Sequence, residues 1–359
     1  VHPLGGGVTR QAGRALLLAR ALAALAAEHR RGAFDLLHAF WADEPGALAV
    51  TAGALLGVPA LVSLAGGELA GFPEIGYGGR LHRTSRRLTR IALHRAAAVT
   101  AGSAYLRELA APLAGRVELL PLGVDTGLFG AEEGKRGGQA RGPAPTGNVC
   151  EWAPRSPGRG GPPWPPSHGR DATDEDEAIH VLQVASLVAV KQPGLLLAAF
   201  ARALEACPAL RLHLVGEGPL EGTLRAQAEQ LGIAGQICWH GAVPHEQLPA
   251  YYRAADFCVL ASRHEAQGMV VLEAAAAGRV TVGTRVGIVP ELAPDYSVAV
   301  DDVAGLAAAM AALAGDAGLR AVLGRRAHDK VNQRYTLRQT AGQTLALYRE
   351  LAAGARRGR

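Results

Sequence analysis

Short apolar runs recur along this chain of 359 residues, each followed by a polar or glycine-containing loop and then a helix-forming stretch. Runs of this length, bounded by polar residues, are typical of strands buried on both faces of a parallel sheet. Strands that alternate with helices in this way predict a parallel α/β architecture. The predicted strands are Ala33–Phe40, Ala60–Leu64, Ala97–Ala101, Val117–Leu120, Ala178–Ser186, Leu210–Val215, Gln236–His240, Ala254–Ser262 and Val280–Val282.

The composition changes sharply between the fourth and the fifth of these strands. Residues Gly130 to Glu177 are rich in proline and glycine and lack apolar periodicity, which is typical of a disordered linker. We therefore predict a first domain over residues 1–129, a linker over 130–177, a second domain over 178–335, and a C-terminal helix with a basic tail over 336–359. The chain is long enough for two domains of ordinary size.

The overall charge and the cysteine pattern narrow the class of protein. A net charge of +5 is too small to indicate nucleic-acid binding, and no zinc-finger or RNA-binding motif occurs, so we expect no nucleic-acid partner. The cysteines form no C-x-x-C pair, and two lie in predicted strands, where buried free thiols are common, which predicts a reducing, cytoplasmic compartment. They are Cys150, Cys207, Cys238 and Cys258.

One uncharged stretch, Pro45 to Gly67, resembles a membrane span in hydropathy alone. It contains Pro59 and several glycines, which would interrupt a spanning helix. A helix, a break at Gly57 and a strand explain the stretch better.

The segment Ser262 to Gly278 holds the strongest candidate site. Glu265 lies on the loop that leaves a predicted strand, and Gly268 lies near the start of an apolar helix. Ligands of open α/β sheets bind at the carboxyl ends of strands, and helix starts favour anions. Glu273 lies within that apolar helix, where an unpaired carboxylate is costly. This pattern predicts a ligand with phosphates and sugar hydroxyls, although solvated glutamates would show the same residue types.

Lys191 comes just before a predicted helix that opens with Pro193. A proline suits the first turn of a helix, so the lysine would stand beside a helix start, which is a phosphate-binding position. A solvated surface lysine is the alternative. Gly216 and Gly218, which follow another strand, would let the backbone approach a ligand or would form an ordinary turn.

These residues resemble the motifs of the retaining GT-B glycosyltransferases, family 4 or group 1. Glu265, Gly268 and Glu273 match the E-x7-E motif, and Gly287–Leu292 resembles the family's G-x-x-P-E loop. Two positions depart from the family: Gln267 replaces an aromatic residue, and Ser186 replaces an arginine. The resemblance extends over residues 34–129 and 178–351.

The resemblance implies a GT-B fold, in which two Rossmann-like domains face each other across a cleft, with the first β-α-β unit missing from the first domain here. It implies transfer of a sugar from a nucleotide-diphosphate sugar to a carbohydrate, lipid-linked or small-molecule acceptor. It further implies retention of anomeric configuration, no cofactor and no protein-bound metal. The alternatives are a non-catalytic relative that binds nucleotide-sugar or serves as a partner subunit, and a GT-B epimerase or phosphorylase.

The resemblance also assigns roles to residues. Glu265 and Lys191 are the catalytic candidates, joined by His38 as the nearest substitute for a histidine that family members carry where this chain has Ala65. The donor-side candidates are Ser186, Lys191, Gly216, Gly218, His240, Val243, Glu265, Gly268, Met269, Val270, Glu273 and Glu291. The acceptor-side candidates are Trp41, Asp43, Glu68 and Tyr77.

A predicted helix over Arg80–Arg95 carries six arginines interleaved with Leu81, Leu88, Ile91 and Leu93. A basic amphipathic helix can dock on an anionic membrane, and family members often glycosylate lipid-linked acceptors. We therefore consider a peripheral contact with the cytoplasmic face of a membrane, with a solvated helix face as the alternative.

Overall fold

The structure is a computed structural model, and it describes residues 7–130 and 178–357. The chain divides into two compact units: residues 1–121 together with 340–359 form the first unit, and residues 122–339 form the second. The expected boundary lay after Phe129. The structure instead places residues from Leu122 onward in the second unit, because Phe129 is buried there against Tyr252. The predicted linker lies outside the described residues apart from Gly130.

The first unit is built on a four-stranded parallel sheet in which neighbouring strands follow one another along the chain. Its strands are β1 (Leu37–Phe40), β2 (Ala60–Ser63), β3 (Ala98–Ala101) and β4 (Val117–Leu119). Its helices include α1 (Gly7–Arg31), α2 (Glu44–Leu56), α3 (Arg83–Arg95) and α4 (Ala104–Ala110).

Local sequence accounts for the ends of these helices. Pro45 occupies the first turn of α2, and Gly57 ends the helix with a left-handed φ of 67°, which glycine adopts without strain. The helix predicted over Arg80–Arg95 begins only at Arg83, because Gly79–Leu81 forms a 3₁₀ turn instead. The side chain of Ser103 caps α4 by accepting from the Leu106 N–H, at 3.2 Å.

The second unit contains a six-stranded parallel sheet in the order β10-β9-β8-β5-β6-β7. Its strands are β5 (Ile179–Val184), β6 (Leu210–Val215), β7 (Ile237–Gly241), β8 (Phe257–Leu260), β9 (Thr281–Thr284) and β10 (Ser297–Val298). When β5 to β10 are renumbered 1 to 6 and the sheet is read from the β7 edge, the order is 3-2-1-4-5-6. This is the strand order of dinucleotide-binding sheets. The order reverses between β5 and β8, so ligands are expected at the carboxyl ends of those two strands.

The helices of the second unit cover a core made largely of leucine, valine and alanine. They are α5 (Thr126–Phe129), α6 (Pro193–Ala206), α7 (Glu221–Gln230), α8 (Leu248–Ala254), α9 (Met269–Ala276), α10 (Val289–Leu292), α11 (Val303–Gly315) and α12 (Ala317–Arg334). Val181 of β5, Leu212 of β6, Phe200 of α6 and Met310 of α11 are fully buried together. Side chains alternate between the faces of a strand, so His213 of β6 points away from this core.

The last helix, α13 (Leu337–Arg357), contributes its residues from Thr340 onward to the first unit. Leu347 and Leu351 pack there against Leu61 of β2 and Ala98 of β3. These two parallel α/β units confirm the fold class expected from the sequence.

Among residues 7–130 and 178–357, none of the helices alone has the length and apolarity to cross a membrane. By length and composition only, the bent pair α11 and α12, at 105° to each other, passes the same test.

Candidate functional site

Lys191 and Glu265 meet at the carboxyl ends of β5 and β8, where the strand order of the second unit reverses. Lys191 Nζ donates to Glu265 Oε1 over 2.6 Å, and Ser262 Oγ donates to the same oxygen over 2.7 Å. The Arg263 N–H also donates to the Val190 carbonyl over 2.8 Å, which ties the two strand-end loops together. The structure therefore brings a cation and a carboxylate, 74 residues apart in sequence, to the position where such sheets bind ligands.

Gly268 forms the turn into α9. Its φ is +86°, a left-handed value that a side chain would strain, and the helix runs from Met269 to Ala276. The first N–H groups of a helix have no partner within it, and together they favour an anion. Met269 and Val270, both half-buried, form this first turn.

Glu273, on the next turn of α9, is buried, with 6% of its surface exposed. Its Oε2 accepts from the Tyr252 hydroxyl at 2.7 Å, and its Oε1 lies 3.3 Å from His245 Nε2. Burial, followed by the charge of Glu273, raises the pKa of the Tyr252 hydroxyl well above its usual range, so Tyr252 remains a donor. The cost of burying this carboxylate is thus offset by hydrogen bonds.

Gly216 and Gly218 follow β6 and pack against the loop that follows β5. A Cβ on Gly216 would lie 2.0 Å from the Ala185 carbonyl oxygen, and one on Gly218 would lie 2.4 Å from that of Leu187. Both positions therefore require glycine for the packing of the two loops, whatever binds there. Ser186, on the β5 loop, is exposed.

His240 ends a row of three imidazoles on adjacent strands. His180 Nδ1 lies 2.8 Å from His213 Nε2, and His213 Nδ1 lies 3.0 Å from His240 Nε2. Burial lowers the pKa of His213 to about 2, with the charges of His180 and His240 adding to the shift, and burial lowers that of His240 to about 4. Val243, three residues beyond His240, is half-buried.

Glu291, the remaining donor-side candidate, accepts hydrogen bonds from one residue of α12 and from the residue that directly follows this helix. Its Oε2 accepts from the Tyr335 hydroxyl at 3.0 Å, and its backbone carbonyl accepts from Lys330 Nζ.

In the sequence, Gln267 stood out only because it replaces an aromatic residue of the family, and no role was predicted for it. It is buried, and its amide pairs with both backbone groups of Leu122: Nε2 donates to the carbonyl and Oε1 accepts from the N–H, each at 2.8 Å. Its own carbonyl accepts from the Ile288 N–H at 2.7 Å. Gln267 therefore fixes the loop between Glu265 and Gly268 to the first residue of the second unit. The one signal in the sequence was an amide where the family has an aromatic residue.

In the first unit, Trp41 directly follows β1, and Asp43 directly precedes α2. Trp41 has a left-handed φ of 77° and is 46% exposed. The half-buried Asp43 makes no side-chain capping bond to α2.

Glu68 is buried, and its carboxylate accepts from the N–H groups of Ala42, Ala65 and Gly66 at 3.3, 3.1 and 2.7 Å. It therefore braces the loops that follow β1 and β2. The ring of Tyr77 stacks on Phe72, with centroids 6.3 Å apart, and its hydroxyl lies beside Gly67.

His38 lies within β1, and both of its ring nitrogens are engaged. Nδ1 lies 2.6 Å from the Tyr348 hydroxyl, and Nε2 lies 2.7 Å from Ser63 Oγ, which in turn lies 2.6 Å from Thr100 Oγ1. Burial lowers the pKa of His38. These contacts fix the position of the half-buried imidazole within the first unit.

Within the part of the chain that the structure describes, no three histidine, cysteine or acidic side chains converge as a metal site would require. The cysteines of the described ranges, Cys207, Cys238 and Cys258, are free thiols.

Both halves of the chain match known families. Residues 1–128 match the model for Glycosyltransferase Family 4, and residues 169–330 match that for Glycosyl transferases group 1. D-inositol 3-phosphate glycosyltransferase of Segniliparus rotundus is 39% identical over 110 residues, which are 30% of this chain and 24% of that protein. Mannosylfructose-phosphate synthase of Agrobacterium fabrum is 38% identical over 112 residues, 29% of this chain and 25% of that protein. The matched segments thus span about a quarter of these relatives.

Solved structures share the fold over nearly the whole chain. Sucrose-phosphate synthase from Thermosynechococcus elongatus superposes with a TM-score of 0.68 at 22% identity, covering 94% of this chain and 78% of its own. Anabaena HepE in complex with UDP and glucose superposes with a TM-score of 0.67 at 17% identity, covering 93% and 81%. With family matches in both halves and this shared fold, the chain belongs to the family 4, group 1 glycosyltransferases of GT-B fold.

Proposed function

We propose that the chain transfers a sugar from a nucleotide-diphosphate sugar to a hydroxyl-bearing acceptor, with retention of anomeric configuration and without a protein-bound metal. The observation that carries the proposal is the Lys191–Glu265 pair, held at the switch point of a dinucleotide-type sheet beside the start of α9. Relatives named as glycosyltransferases and solved neighbours that contain UDP support it.

The donor diphosphate is assigned to Lys191 and to the first N–H groups of α9. Glu265 holds the ammonium group of Lys191 at the carboxyl ends of β5 and β8, with 27% of the lysine side chain exposed. A diphosphate carries more charge than one carboxylate, so it can share or replace Glu265 as the partner of Lys191. As the bond between the anomeric carbon and the diphosphate breaks, these groups stabilise the charge on the leaving phosphate. They would do so in place of a metal ion.

The nucleoside and the sugar are assigned to the two glutamates. Glu273 is buried, but its Oε1 can still accept hydrogen bonds from ribose hydroxyls. Its contact with His245 is long, at 3.3 Å, and the His245 side chain is 58% exposed, so a ribose hydroxyl can displace the imidazole. Glu265 lies eight residues earlier, on the loop that precedes α9, and we assign it to the donor sugar. His240 and Val243 at the end of β7 are assigned to the base.

The acceptor is assigned to the carboxyl ends of β1 and β2 in the first unit, around Trp41 and Asp43. A carbohydrate or a lipid-linked acceptor fits this assignment. One relative is named as an alpha-monoglucosyldiacylglycerol synthase and another as a phosphatidylinositol N-acetylglucosaminyltransferase subunit, which supports a lipid-linked class. A lipid-linked acceptor would require the chain to reach a membrane surface, and α3 is the element we propose for that contact.

The test is calorimetric binding of nucleoside diphosphates and of the matching nucleosides, uridine and guanosine, to wild type and to Lys191→Ala. The lysine contributes a charge-assisted hydrogen bond worth about 1.5–3 kcal/mol, so the substitution should weaken diphosphate binding roughly 10- to 150-fold and leave nucleoside binding unchanged. Arg202→Ala, at the exposed far end of α6, is the matched control and should change neither affinity.

Turnover separates transfer from binding alone. Hydrolysis of UDP-glucose or GDP-mannose by the wild-type chain, lowered in Lys191→Ala, supports a transferase. Binding without hydrolysis or transfer would favour the non-catalytic alternative. If neither diphosphate binds the wild-type chain, the proposed function is wrong.

A further inference from the structure

We infer that Trp41 is a stacking platform which makes the acceptor site selective for ring-shaped polyols, such as a pyranose or a cyclitol, over open-chain ones. The inference deepens the proposed function and rests on it, because it names the chemical class that the acceptor side takes.

The backbone of Trp41 adopts a conformation that its side chain disfavours. Its φ of 77° lies in the left-handed region, where a bulky residue is a genuine outlier. Such strain persists only where the surroundings over-determine it, and it clusters at functional sites. Glycine would occupy this position without strain, so the presence of a tryptophan here needs an explanation.

Hydrogen bonds on both sides of Trp41 impose this conformation. The Trp41 N–H donates to the Ser63 carbonyl at the end of β2, at 2.9 Å. The N–H of the next residue, Ala42, donates to the buried carboxylate of Glu68 at 3.3 Å, and Ala42 itself is fully buried. A Cβ on Gly46 would lie only 2.9 Å from the Trp41 carbonyl oxygen, so α2 also packs closely against this turn.

The indole ring rests on a braced backbone. A Cβ built on Gly66 would lie 2.5 and 2.7 Å from ring carbons Cζ3 and Cη2, so the indole ring packs directly against the backbone of Gly66. The Gly66 N–H is itself held by Glu68 at 2.7 Å. With this support the residue remains 46% exposed. The result is a rigid aromatic surface at the carboxyl end of β1, where α/β sheets bind ligands.

The chemistry beside the ring fits a hydroxylated ring. An aromatic face buries the apolar C–H side of a sugar or cyclitol, whose ring is already held in a chair, whereas an open-chain polyol must lose conformational entropy to present the same surface. Asp43, two residues further, makes no cap bond to α2, so its carboxylate can accept from ring hydroxyls.

The test compares myo-inositol with sorbitol, an open-chain polyol with the same number of hydroxyl groups, by saturation-transfer NMR without any donor. Wild type should favour myo-inositol. Trp41→Gly removes the ring without adding backbone strain and should weaken myo-inositol binding roughly 10-fold, to the level of sorbitol. Trp41→Phe keeps an aromatic face and should retain the preference. Phe40→Ala, at an adjacent exposed aromatic, is the matched control and should also retain it.

The urea midpoint of each variant serves as the control for folding of the first unit, and we expect the nucleoside diphosphate affinity, which reports on the second unit, to stay unchanged. The inference is overturned if wild type binds the two polyols equally or binds neither, or if Trp41→Gly keeps the preference for myo-inositol. Failure of the proposed donor function would be seen separately. In that case wild type would bind no nucleoside diphosphate but would still prefer myo-inositol to sorbitol.

Discussion

At the scale of single residues, buried polar side chains hold the loops that carry the candidate chemistry. Glu68 gathers three N–H groups in the first unit, and Gln267 clasps both backbone groups of Leu122 in the second. A carboxylate can only accept, whereas an amide can donate and accept at once, so each side chain matches the groups it faces. The residue types at these two positions are therefore dictated by the backbone groups around them.

This complementarity predicts the outcome of Gln267→Leu. Leucine has a similar volume but leaves the N–H and the carbonyl of Leu122 without their present partner, at a cost of about 1–3 kcal/mol for the two bonds. The urea midpoint should fall, and the Leu122 amide should exchange with solvent faster. Gln230→Leu, at an exposed site on α7, should change neither quantity. Unchanged exchange at Leu122 would contradict the anchoring role.

At the scale of elements, α3 differs from the other helices in how it distributes charge. Its arginines are exposed, whereas Leu88 and Ile91 are half-buried and Leu93 is fully buried. The sequence had suggested an amphipathic helix that docks on a membrane, but these leucines and this isoleucine pack inward. Any membrane contact through α3 must therefore be electrostatic adsorption.

Charge removal from α3 tests this contact. Each arginine near an anionic leaflet contributes about 1 kcal/mol, so changing Arg83, Arg86, Arg87 and Arg90 to Gln should lower sedimentation with phosphatidylserine vesicles by at least roughly 10-fold. Wild-type binding should fade as the Debye length shrinks from about 10 Å at 0.1 M salt to about 3 Å at 1 M.

The matched control removes the same charge from exposed arginines of the second unit: Arg325, Arg326, Arg334 and Arg338. Equal losses in the two quadruple variants would show that net charge alone, and not α3, attracts the vesicles.

At the scale of the whole molecule, buried imidazoles make stability depend on pH. The folded-state pKa values of His213 and His240 lie near 2 and 4, below the ordinary value of 6.5. As pH falls below about 6.5, the unfolded chain binds protons that the folded chain does not. The stability contributed by these two histidines is therefore fully present above pH 6.5 and is lost toward pH 4, by about 1–2 kcal/mol for each histidine at pH 5.

The measurement is the urea midpoint at pH 7 and at pH 5. Wild type should lose stability at the lower pH, and His240→Gln should lose less, because it no longer carries a buried group that protonates on unfolding. His94→Gln, at an exposed position of α3, should behave as wild type. If His240→Gln and wild type lose the same amount, His240 does not set this dependence.

The sequence by itself determined the elements and the family. Strand Leu210–Val215 has the bounds that were predicted, and helix Pro193–Ala206 begins at the predicted proline, because apolar runs and proline at a helix start are local signals. The same signals predicted that Lys191 and Glu265 stand at strand ends. Whether they carry the proposed roles remains a prediction.

Only the tertiary structure decided which distant groups meet. The order of the strands brings Lys191 beside Glu265, and a pairing across 145 residues explains Gln267. The row of three histidines and the strained φ of Trp41 are likewise invisible in the sequence. The physical reason is that propensity and periodicity act over a few neighbouring residues. A buried amide, an imidazole row or a left-handed tryptophan is stable only because long-range packing supplies its partners.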